Sequence, residues 1–318
     1  MYFAQATLAL METRMLGRNG PQVPVIGFGA WPIGGGMGDV DEQQAIRTLH
    51  HALDAGVTLI DTAEAYRTSE EVVGRALREW SGAREQVFLA TKVRGNDLSR
   101  AHVLAAIEQS LRHLQVEYVD LLQAHSWDSH HPIDETMRAF DDLVQQGKVR
   151  YVGVSNFDVE QMAAAWAVRP FQSLQPRYNL FDRHVEQSIL PYCRQRGIGV
   201  LAHSPLAKGL LTGKYRPGHV FPPDDERSRM PRFQGDQFAR YVATADRLAA
   251  WARERGHSLV ELAIAWVLSH PAITVCLCGA KSPDQVDEHV RAAAWHLADA
   301  DRTAIDRVLS GDEAPPAP

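Results

Sequence analysis

The sequence predicts an α/β protein, a single-domain (β/α)8 barrel, on three observations. Eight short apolar segments alternate with amphipathic helical periods along the 318 residues. These segments are nearly continuous in apolar residues, as expected of parallel strands that are covered on both faces. Eight such units without an internal sequence repeat favour a closed barrel over an open sheet.

The eight predicted strands are rich in β-branched and aromatic residues, which favour extended structure. They cover residues 25–28, 57–60, 87–90, 118–123, 151–154, 173–175, 198–202 and 273–277. Because parallel strands must all start at the same end of the sheet, each needs a crossover connection, usually a helix, before the next.

Helical periods occupy the connections. Ala45, Leu49 and Leu53 recur at the spacing of one helical face. A capping box at residues 258–261 opens another helix, which Pro271 ends. Further helices are predicted at residues 103–114, 134–146, 159–167, 184–196, 238–255 and 283–294.

The two chain ends and one internal segment do not follow this alternation. We predict a disordered leader at residues 1–13, the barrel domain at 14–312 and a C-terminal tail at 313–318. The leader lacks the basic region of a signal peptide. Residues 215–236, rich in Pro, Gly and charge, follow the seventh strand and are expected to form a functional loop over the C-terminal mouth of the barrel.

Composition and charge argue against several classes of function. The net charge is −6 and no basic block is present, so no nucleic-acid partner is expected. No stretch approaches the 18 apolar residues of a membrane span, so no membrane partner is expected. The sequence therefore predicts a cytoplasmic protein.

Three cysteines are too few for a disulfide framework and fit a reducing cytoplasm. Cys276 and Cys278 flank one residue in a predicted strand, which puts both thiols on one face and could form a redox pair or a soft-metal site. No second cysteine pair accompanies them, so the preferred interpretation is two small core residues. No metal is expected.

Polar residues stand at the ends of seven successive predicted strands, from the second to the eighth. They are Asp61, Thr91-Lys92, His125, Ser155-Asn156, Gln175, His203-Ser204 and residues 279–282. One such residue alone is usually a turn or cap residue. In a barrel all seven strand ends meet at one rim, where catalytic groups lie, so their convergence predicts an active site.

These strand ends lie in motifs that resemble the aldo-keto reductase superfamily. The segments LIDTAEAY, ATKV, DLLQAH and GVSNF occur in the family's order, and LGRNGPQVPVIGFGAW, LQPRYNLF, SPLAKGLLTGKY and GAKSPDQ extend the likeness from Arg14 to Ala294. The pattern is most similar to the bacterial branch that also includes potassium-channel β-subunits. The resemblance implies four catalytic residues, which are Asp61, Tyr66, Lys92 and His125.

The chemistry of carbonyl reduction explains this set of residue types. Hydride transfer to a carbonyl carbon leaves charge on the oxygen, which needs a proton donor. A Lys92 ammonium about 4 Å from Tyr66 would favour the phenolate by roughly 4 kcal/mol and bring the phenol pKa to about 7. Asp61 would keep Lys92 charged. His125 would hydrogen-bond the carbonyl oxygen and pass a proton to the phenol.

The resemblance also implies the nicotinamide end of a coenzyme site. Ser155, Asn156 and Gln175 would hold the carboxamide, and Ser204 and Leu206 would follow the pyrophosphate. Trp31 would line the nicotinamide side. The chain departs from the family at His203, where an aromatic residue, often Tyr, commonly stacks on the nicotinamide. The affinity for the coenzyme is therefore expected to differ.

The GAKSPDQ segment predicts the adenosine end. Ser282 and Gln285 match a capping box with Pro283 at the first helical position, and Lys281 stands beside that helix N-terminus. This small anion site suits a 2′-phosphate and favours NADPH (NADP⁺) over NADH. Gly279 belongs to the same coenzyme-binding segment. His289 replaces a common Asn near the adenine.

A small-molecule carbonyl substrate is expected against Trp31, Tyr66, His125 and Trp127. The sequence around Trp127 departs from the family, since Ser126-Trp127-Asp128 replaces His-Trp-Pro.

Three other classes of protein compete with this interpretation. An open-sheet dehydrogenase needs Gly-X-Gly-X-X-Gly, which Pro32 interrupts at the third glycine. A barrel metallohydrolase needs clustered metal ligands at the strand ends. The two histidine pairs of this chain, His50-His51 and His130-His131, lie instead in a helix and a loop and are expected to face solvent. The third alternative is a coenzyme-binding, redox-sensing module with little turnover, as in the channel β-subunits.

Overall fold

The computed structural model describes residues 11–35, 38 and 40–311, and its centre is a closed barrel of eight parallel strands. The strands are β1 (Thr13–Met15), β2 (Gln22–Pro24), β3 (Ile26–Gly29), β4 (Leu59–Asp61), β5 (Phe88–Val93), β6 (Val119–Ala124), β7 (Val149–Ser155), β8 (Ser173–Gln175), β9 (Gly199–His203) and β10 (Val275–Cys278). Strands β3 to β10 pair in sequence, and β10 closes the ring on β3. The predicted fold class and all eight predicted strands are confirmed.

Helices surround the barrel. They are α1 (Glu42–Asp54), α2 (Ser69–Glu79), α3 (Arg100–Leu114), α4 (Ile133–Gln145), α5 (Val159–Val168), α6 (Ile189–Arg196), α7 (Gly235–Arg253), α8 (Leu259–Leu268), α9 (Pro283–Ala293) and α10 (Asp299–Ser310). The sequence did not predict α2 and α10, which are rich in charge and present few apolar residues to the core. The helix predicted at 184–196 is divided into a short 3-10 turn and α6, whose first turn contains Pro191.

A hairpin of β1 and β2 covers the N-terminal end of the barrel. Leu16 and Val23 are buried against the barrel interior. Thr13 already lies in β1 and Met11 packs against the core, so the folded chain begins before residue 14, where we placed the start of the domain. Residues 1–10 of the predicted leader and the predicted tail lie outside the described residues.

The main hydrophobic core fills the layer between barrel and helices. Cys276 and Cys278 both belong to this layer, with their Sγ atoms 3.7 Å apart. All three cysteines are free and buried, and burial raises the pKa of the Cys276 thiol. The pair therefore packs as core residues, as preferred from the sequence.

The loop at 215–236 is compact. Tyr215, Phe221 and Phe233 pack with Phe238 of α7 in a cluster of aromatic rings. Arg227 extends from this loop into the wall of the cavity at the C-terminal mouth, so the predicted position of the loop is confirmed. Within the described part of the chain, no helix is long and apolar enough to cross a membrane.

Candidate active site

The C-terminal ends of the barrel strands surround a cavity of about 1010 Å³. Thirteen of the predicted site residues line it, which are Trp31, Asp61, Tyr66, His125, Ser155, Asn156, Gln175, His203, Ser204, Leu206, Gly279, Lys281 and Gln285. Parallel register explains the convergence, because every strand delivers its last residues to the same rim.

Lys92 lies beneath this cavity and joins Asp61 to Tyr66. Its Nζ donates to Asp61 Oδ1 at 2.5 Å, to the Thr62 carbonyl oxygen at 2.8 Å and to Tyr66 Oη at 3.2 Å. The Lys92 side chain is fully buried and that of Asp61 is 3% exposed. The contacts predicted among these three residues are therefore present.

Burial and neighbouring charges act in opposite directions on Lys92 and Tyr66. Burial lowers the pKa of Lys92, but Asp61 and Tyr66 outweigh it and the net shift is upward, so Lys92 stays charged. Burial raises the pKa of Tyr66; Lys92 acts to lower it and Asp61 to raise it, and the net shift is again upward. The predicted phenol pKa near 7 is wrong, because it counted the lysine charge and left out desolvation and Asp61.

His125 lies beside Tyr66, with its ring centroid 5.5 Å from that of Tyr66 in an edge-to-face contact. Burial, and then the charge of Lys92, lower the pKa of His125 to about 3. The imidazole is therefore neutral near pH 7. It can donate a hydrogen bond to a substrate oxygen, and the expected passage of a proton from His125 to the phenol stays a prediction.

The second oxygen of Asp61 is held by two amides inside the barrel. Gln175 Nε2 donates to Asp61 Oδ2 at 2.8 Å, and Gln123 Nε2 donates to the same atom at 3.2 Å. The sequence interpretation missed Gln123, although its position two residues before His125 on a strand puts both on the inner face.

Three strand-end residues form a hydrogen-bonded group on the opposite wall. Ser155 Oγ donates to the Gln175 carbonyl oxygen at 2.8 Å. Asn156 Nδ2 donates to the His125 carbonyl oxygen and to Ser155 Oγ, both at 3.0 Å. Asn156 has a φ of 57°, in the left-handed region, so its backbone turns sharply at the rim.

His203 is tied to this group by its ring nitrogens. Nε2 lies 3.0 Å from Asn156 Oδ1 and Nδ1 lies 3.0 Å from Ser204 Oγ. Burial, together with Arg177 and other cations, lowers the pKa of His203 to about 3, so the ring is neutral and carries one N–H. Since Asn156 Oδ1 can only accept, Nε2 donates to it and Nδ1 accepts from Ser204.

The adenosine end differs from the predicted capping box. The Ser282 side chain does not cap α9 and lies outside the cavity lining; instead, the Lys281 backbone N–H donates to Gln285 Oε1 at 2.8 Å. Pro283 stands at the start of α9 as predicted. His289 lines the cavity, and burial lowers its pKa to about 4.

Further cations line the cavity, and the sequence interpretation did not assign them. They are Arg177, Lys208, Lys214 and Arg227. Burial, then the charges of Arg227 and Lys281, lower the pKa of Lys214, so the three charges are near enough to act on one another. Lys208 and Lys214 stand in the SPLAKGLLTGKY motif, whose spacing around the seventh strand end was the available signal.

Trp127 is not part of the cavity wall that we expected it to form. Its ring packs edge to face on Phe157 at 5.2 Å, and Ser126 lines the cavity instead. The buried Asp128 carboxylate explains this turn of the chain, because it accepts hydrogen bonds from the backbone N–H groups of Leu98 and His130.

The paired histidines expected to face solvent do so in part. The His130 side chain is 81% exposed, whereas that of His131 is bonded to Asp128. His50 bonds the Ala76 carbonyl oxygen and His51 pairs with Asp287.

Comparison with known proteins decides the family. The sequence profile of the Aldo/keto reductase family matches residues 25–310. The chain belongs to the aldo/keto reductase family. It is thereby an oxidoreductase that acts on carbonyl groups, and the resemblance inferred from its motifs is confirmed.

Several aldo/keto reductase relatives cover nearly the whole chain. It is 40% identical to Aldo-keto reductase YhdN of Bacillus subtilis (strain 168), over 96% of each chain. It is 35% identical to a probable voltage-gated potassium channel subunit beta of Oryza sativa subsp. japonica, over 89% of this chain and 91% of that one. The solved glycerol dehydrogenase AKR11B4 of Gluconobacter oxydans superposes with a TM-score of 0.86 at 38% identity, over 96% of this chain and 97% of that one.

Proposed function

We propose that this chain is an NADPH-dependent aldo-keto reductase that reduces aldehydes or ketones to alcohols with Tyr66 as general acid. The observation that carries the proposal is the Lys92 ammonium, which is buried between the Asp61 carboxylate and the Tyr66 hydroxyl at the base of the cavity. We further propose a cytoplasmic location, since all three cysteines are free.

The cavity residues fit a nicotinamide dinucleotide at both ends. Gln175, Ser155 and Asn156 offer amide and hydroxyl groups for a carboxamide. At the far end Lys214, Arg227 and Lys281 line the cavity, and their positive charges are near enough to act on one another. When bound, the reduced coenzyme would supply the hydride for the carbonyl carbon.

Tyr66 is suited to deliver the proton. Its raised pKa keeps the hydroxyl protonated at neutral pH, and its Oη lies in the cavity wall. After proton transfer to the substrate oxygen, Lys92 at 3.2 Å would stabilise the phenolate by roughly 5 kcal/mol at an effective dielectric near 20. Asp61 keeps Lys92 charged and oriented, and the neutral His125 donates a hydrogen bond to the substrate oxygen.

The coenzyme preference follows from the cations. A 2′-phosphate adds negative charge that NADH lacks, and Lys214, Arg227 and Lys281 favour it electrostatically. Arg227 is itself positioned by Asp225 at 2.5 Å and by Tyr215 Oη at 2.6 Å, so its guanidinium is held in place before any ligand binds.

The test is the oxidation of NADPH against a panel of aldehydes, ketones and sugars, with NADH in parallel. Glyceraldehyde belongs in the panel, and glycerol is tested in the reverse direction with NADP⁺, because a similar solved structure is that of a glycerol dehydrogenase. We expect turnover with NADPH that exceeds turnover with NADH. Binding of neither coenzyme would contradict the proposal.

A second candidate function is a coenzyme-binding sensor with little turnover. It is motivated by the 35% identity to proteins named as probable potassium channel β-subunits. Rapid multiple turnover with simple aldehydes supports the enzyme, whereas tight NADPH retention with negligible turnover supports the sensor.

A further inference from the structure

Gln123 is a buried polar residue of the barrel interior that the proposed mechanism does not use. Its side chain has no exposed surface and does not line the cavity, so it cannot touch substrate or coenzyme. It nevertheless bonds two residues that do line the cavity, Asp61 and Gln175.

The orientation of both amides follows from the carboxylate. Since an ionised Asp61 can only accept, the nitrogen of each glutamine must face Oδ2. The second hydrogen of Gln175 Nε2 then points to Gln123 Oε1, at 3.2 Å. Both hydrogens of Gln175 are thus used inside the barrel, and its Oε1 remains as the atom that can accept from a ligand amide in the cavity.

The barrel makes room for this arrangement. Gln123 pairs with Lys92 on one side and with Gly153 on the other. A Cβ at Gly153 would lie 3.2 Å from Gln123 Cγ and 2.2 Å from Ser173 Oγ. A residue larger than glycine at this position would therefore displace the layer of side chains that contains Gln123.

We propose that Gln123 is a positioning residue that couples the carboxamide-binding amide of Gln175 to the Asp61–Lys92–Tyr66 group. It holds Asp61 Oδ2 so that Oδ1 faces Lys92, and it holds Gln175 so that Oε1 faces the cavity. One residue that touches neither reactant thereby aligns the proton donor and the nicotinamide end of the coenzyme. This inference rests on the proposed function, because it assigns Gln175 to the coenzyme.

The variant Gln123→Met keeps the side-chain length and removes both hydrogen bonds. We expect kcat to fall about tenfold and NADPH to bind about fivefold more weakly, the size of effect typical of a lost hydrogen bond to a charged group. Binding of 2′,5′-ADP, which contains only the adenosine half, should stay unchanged. Ser173→Ala is the matched control, since Ser173 is buried in the same layer and its Oγ has no hydrogen-bond partner among the described residues.

The measurements are kcat, thermal unfolding, and the dissociation constants of NADPH and 2′,5′-ADP by calorimetry. Gln123→Leu is made in parallel in case Gln123→Met does not fold. The double variant with Gln175→Met should lose less than the product of the two single losses, because both amides serve one arrangement. Equal loss of both ligands, or wild-type kcat and NADPH affinity in a folded Gln123 variant, would overturn the inference. A wild-type protein that binds no NADPH would instead remove the proposed function itself.

Discussion

The two ends of the barrel strands carry the same three kinds of group in different arrangements. At the C-terminal end Lys92 Nζ bonds Asp61 and the hydroxyl of Tyr66. At the N-terminal end of β6, Asp120 bonds two guanidinium groups and the Leu89 backbone N–H. Those groups belong to Arg84 and Arg150, which lie over the ring face of Tyr118 at 4.5 and 4.0 Å from its centroid.

The difference shows which arrangement of cation, carboxylate and tyrosine can take part in proton transfer. At the N-terminal end the cations contact the π face of the tyrosine, which stabilises packing and leaves the hydroxyl without a hydrogen-bond partner among the described residues. At the C-terminal end Lys92 Nζ also lies over the Tyr66 ring, 4.7 Å from its centroid, but it contacts the hydroxyl as well, beside a cavity that admits a substrate. A cation in contact with the oxygen stabilises the phenolate that forms when the proton leaves.

The largest expected effect is the difference in kcat between variants of the two tyrosines. Tyr66→Phe removes the proton donor and should lower kcat about 10³-fold, while NADPH binding stays near wild type. Tyr118→Phe removes an unbonded hydroxyl and should leave kcat and stability near wild type. Steady-state kinetics and NADPH titration check both variants. Equal kcat for the two variants would break the comparison.

The two aspartates should separate stability from activity. Asp120→Asn leaves two cations without their countercharge and should lower the free energy of unfolding by about 2–3 kcal/mol while kcat per folded molecule is retained. Half-exposure of Arg150 moderates this cost. Asp61→Asn should lower kcat strongly, because Lys92 loses its partner. Urea unfolding and kinetics at one pH measure both, and the account fails if Asp120→Asn is the variant that loses turnover.

Acid should lower the free energy of unfolding through the buried histidines at the C-terminal mouth of the barrel. Burial lowers the pKa of His125 to about 3 and of His289 to about 4, against an ordinary 6.5. Below about pH 6.5 the unfolded chain therefore takes up protons that the folded chain refuses, so stability falls as pH falls, by up to about 1.4 kcal/mol per pH unit for each histidine. Urea unfolding between about pH 7 and pH 5 should show this slope. His289→Gln should reduce this slope relative to wild type.

Lys281→Ala tests the adenosine end. Removing one cation from the cluster should weaken NADPH binding about tenfold and leave NADH binding nearly unchanged. Lys148→Ala serves as the control for the loss of one positive charge, because Lys148 directly precedes β7 and lies at the N-terminal end of the barrel. An unchanged NADPH/NADH ratio in Lys281→Ala would show that Lys214 and Arg227 set the preference without it.

The smallest effect is expected at His203. His203→Phe adds stacking area but removes the hydrogen bonds to Asn156 and Ser204, so NADPH affinity should fall about fivefold, since a neutral hydrogen bond contributes about 1 kcal/mol. His203→Gln, which retains one donor and one acceptor, should lie closer to wild type. Tighter NADPH binding by His203→Phe would show that stacking outweighs the hydrogen bonds.

The parts of the structure that depend on repeating patterns were predictable from the sequence. Strand ends could be located from apolar segments that stop at polar residues, and so Asp61, Lys92 and His125 could be assigned to one rim. The direction of the Tyr66 pKa shift could not be predicted, because it depends on the balance of burial against two opposite charges at distances that only coordinates give. Gln123 and Arg227 were missed because one lies inside a strand and the other in a loop without regular spacing. Trp127 was misplaced because the bonds to Asp128 that turn the chain arise from residues up to thirty positions away.

The most direct test of the central claim is the ionisation of Tyr66, measured as the ultraviolet difference titration of wild type against Tyr66→Phe. Burial should outweigh the Lys92 charge, so that the phenol keeps the proton it is to deliver and its pKa lies above the ordinary 10.0. Tyrosinate that forms near pH 7 and is absent from Tyr66→Phe would contradict this.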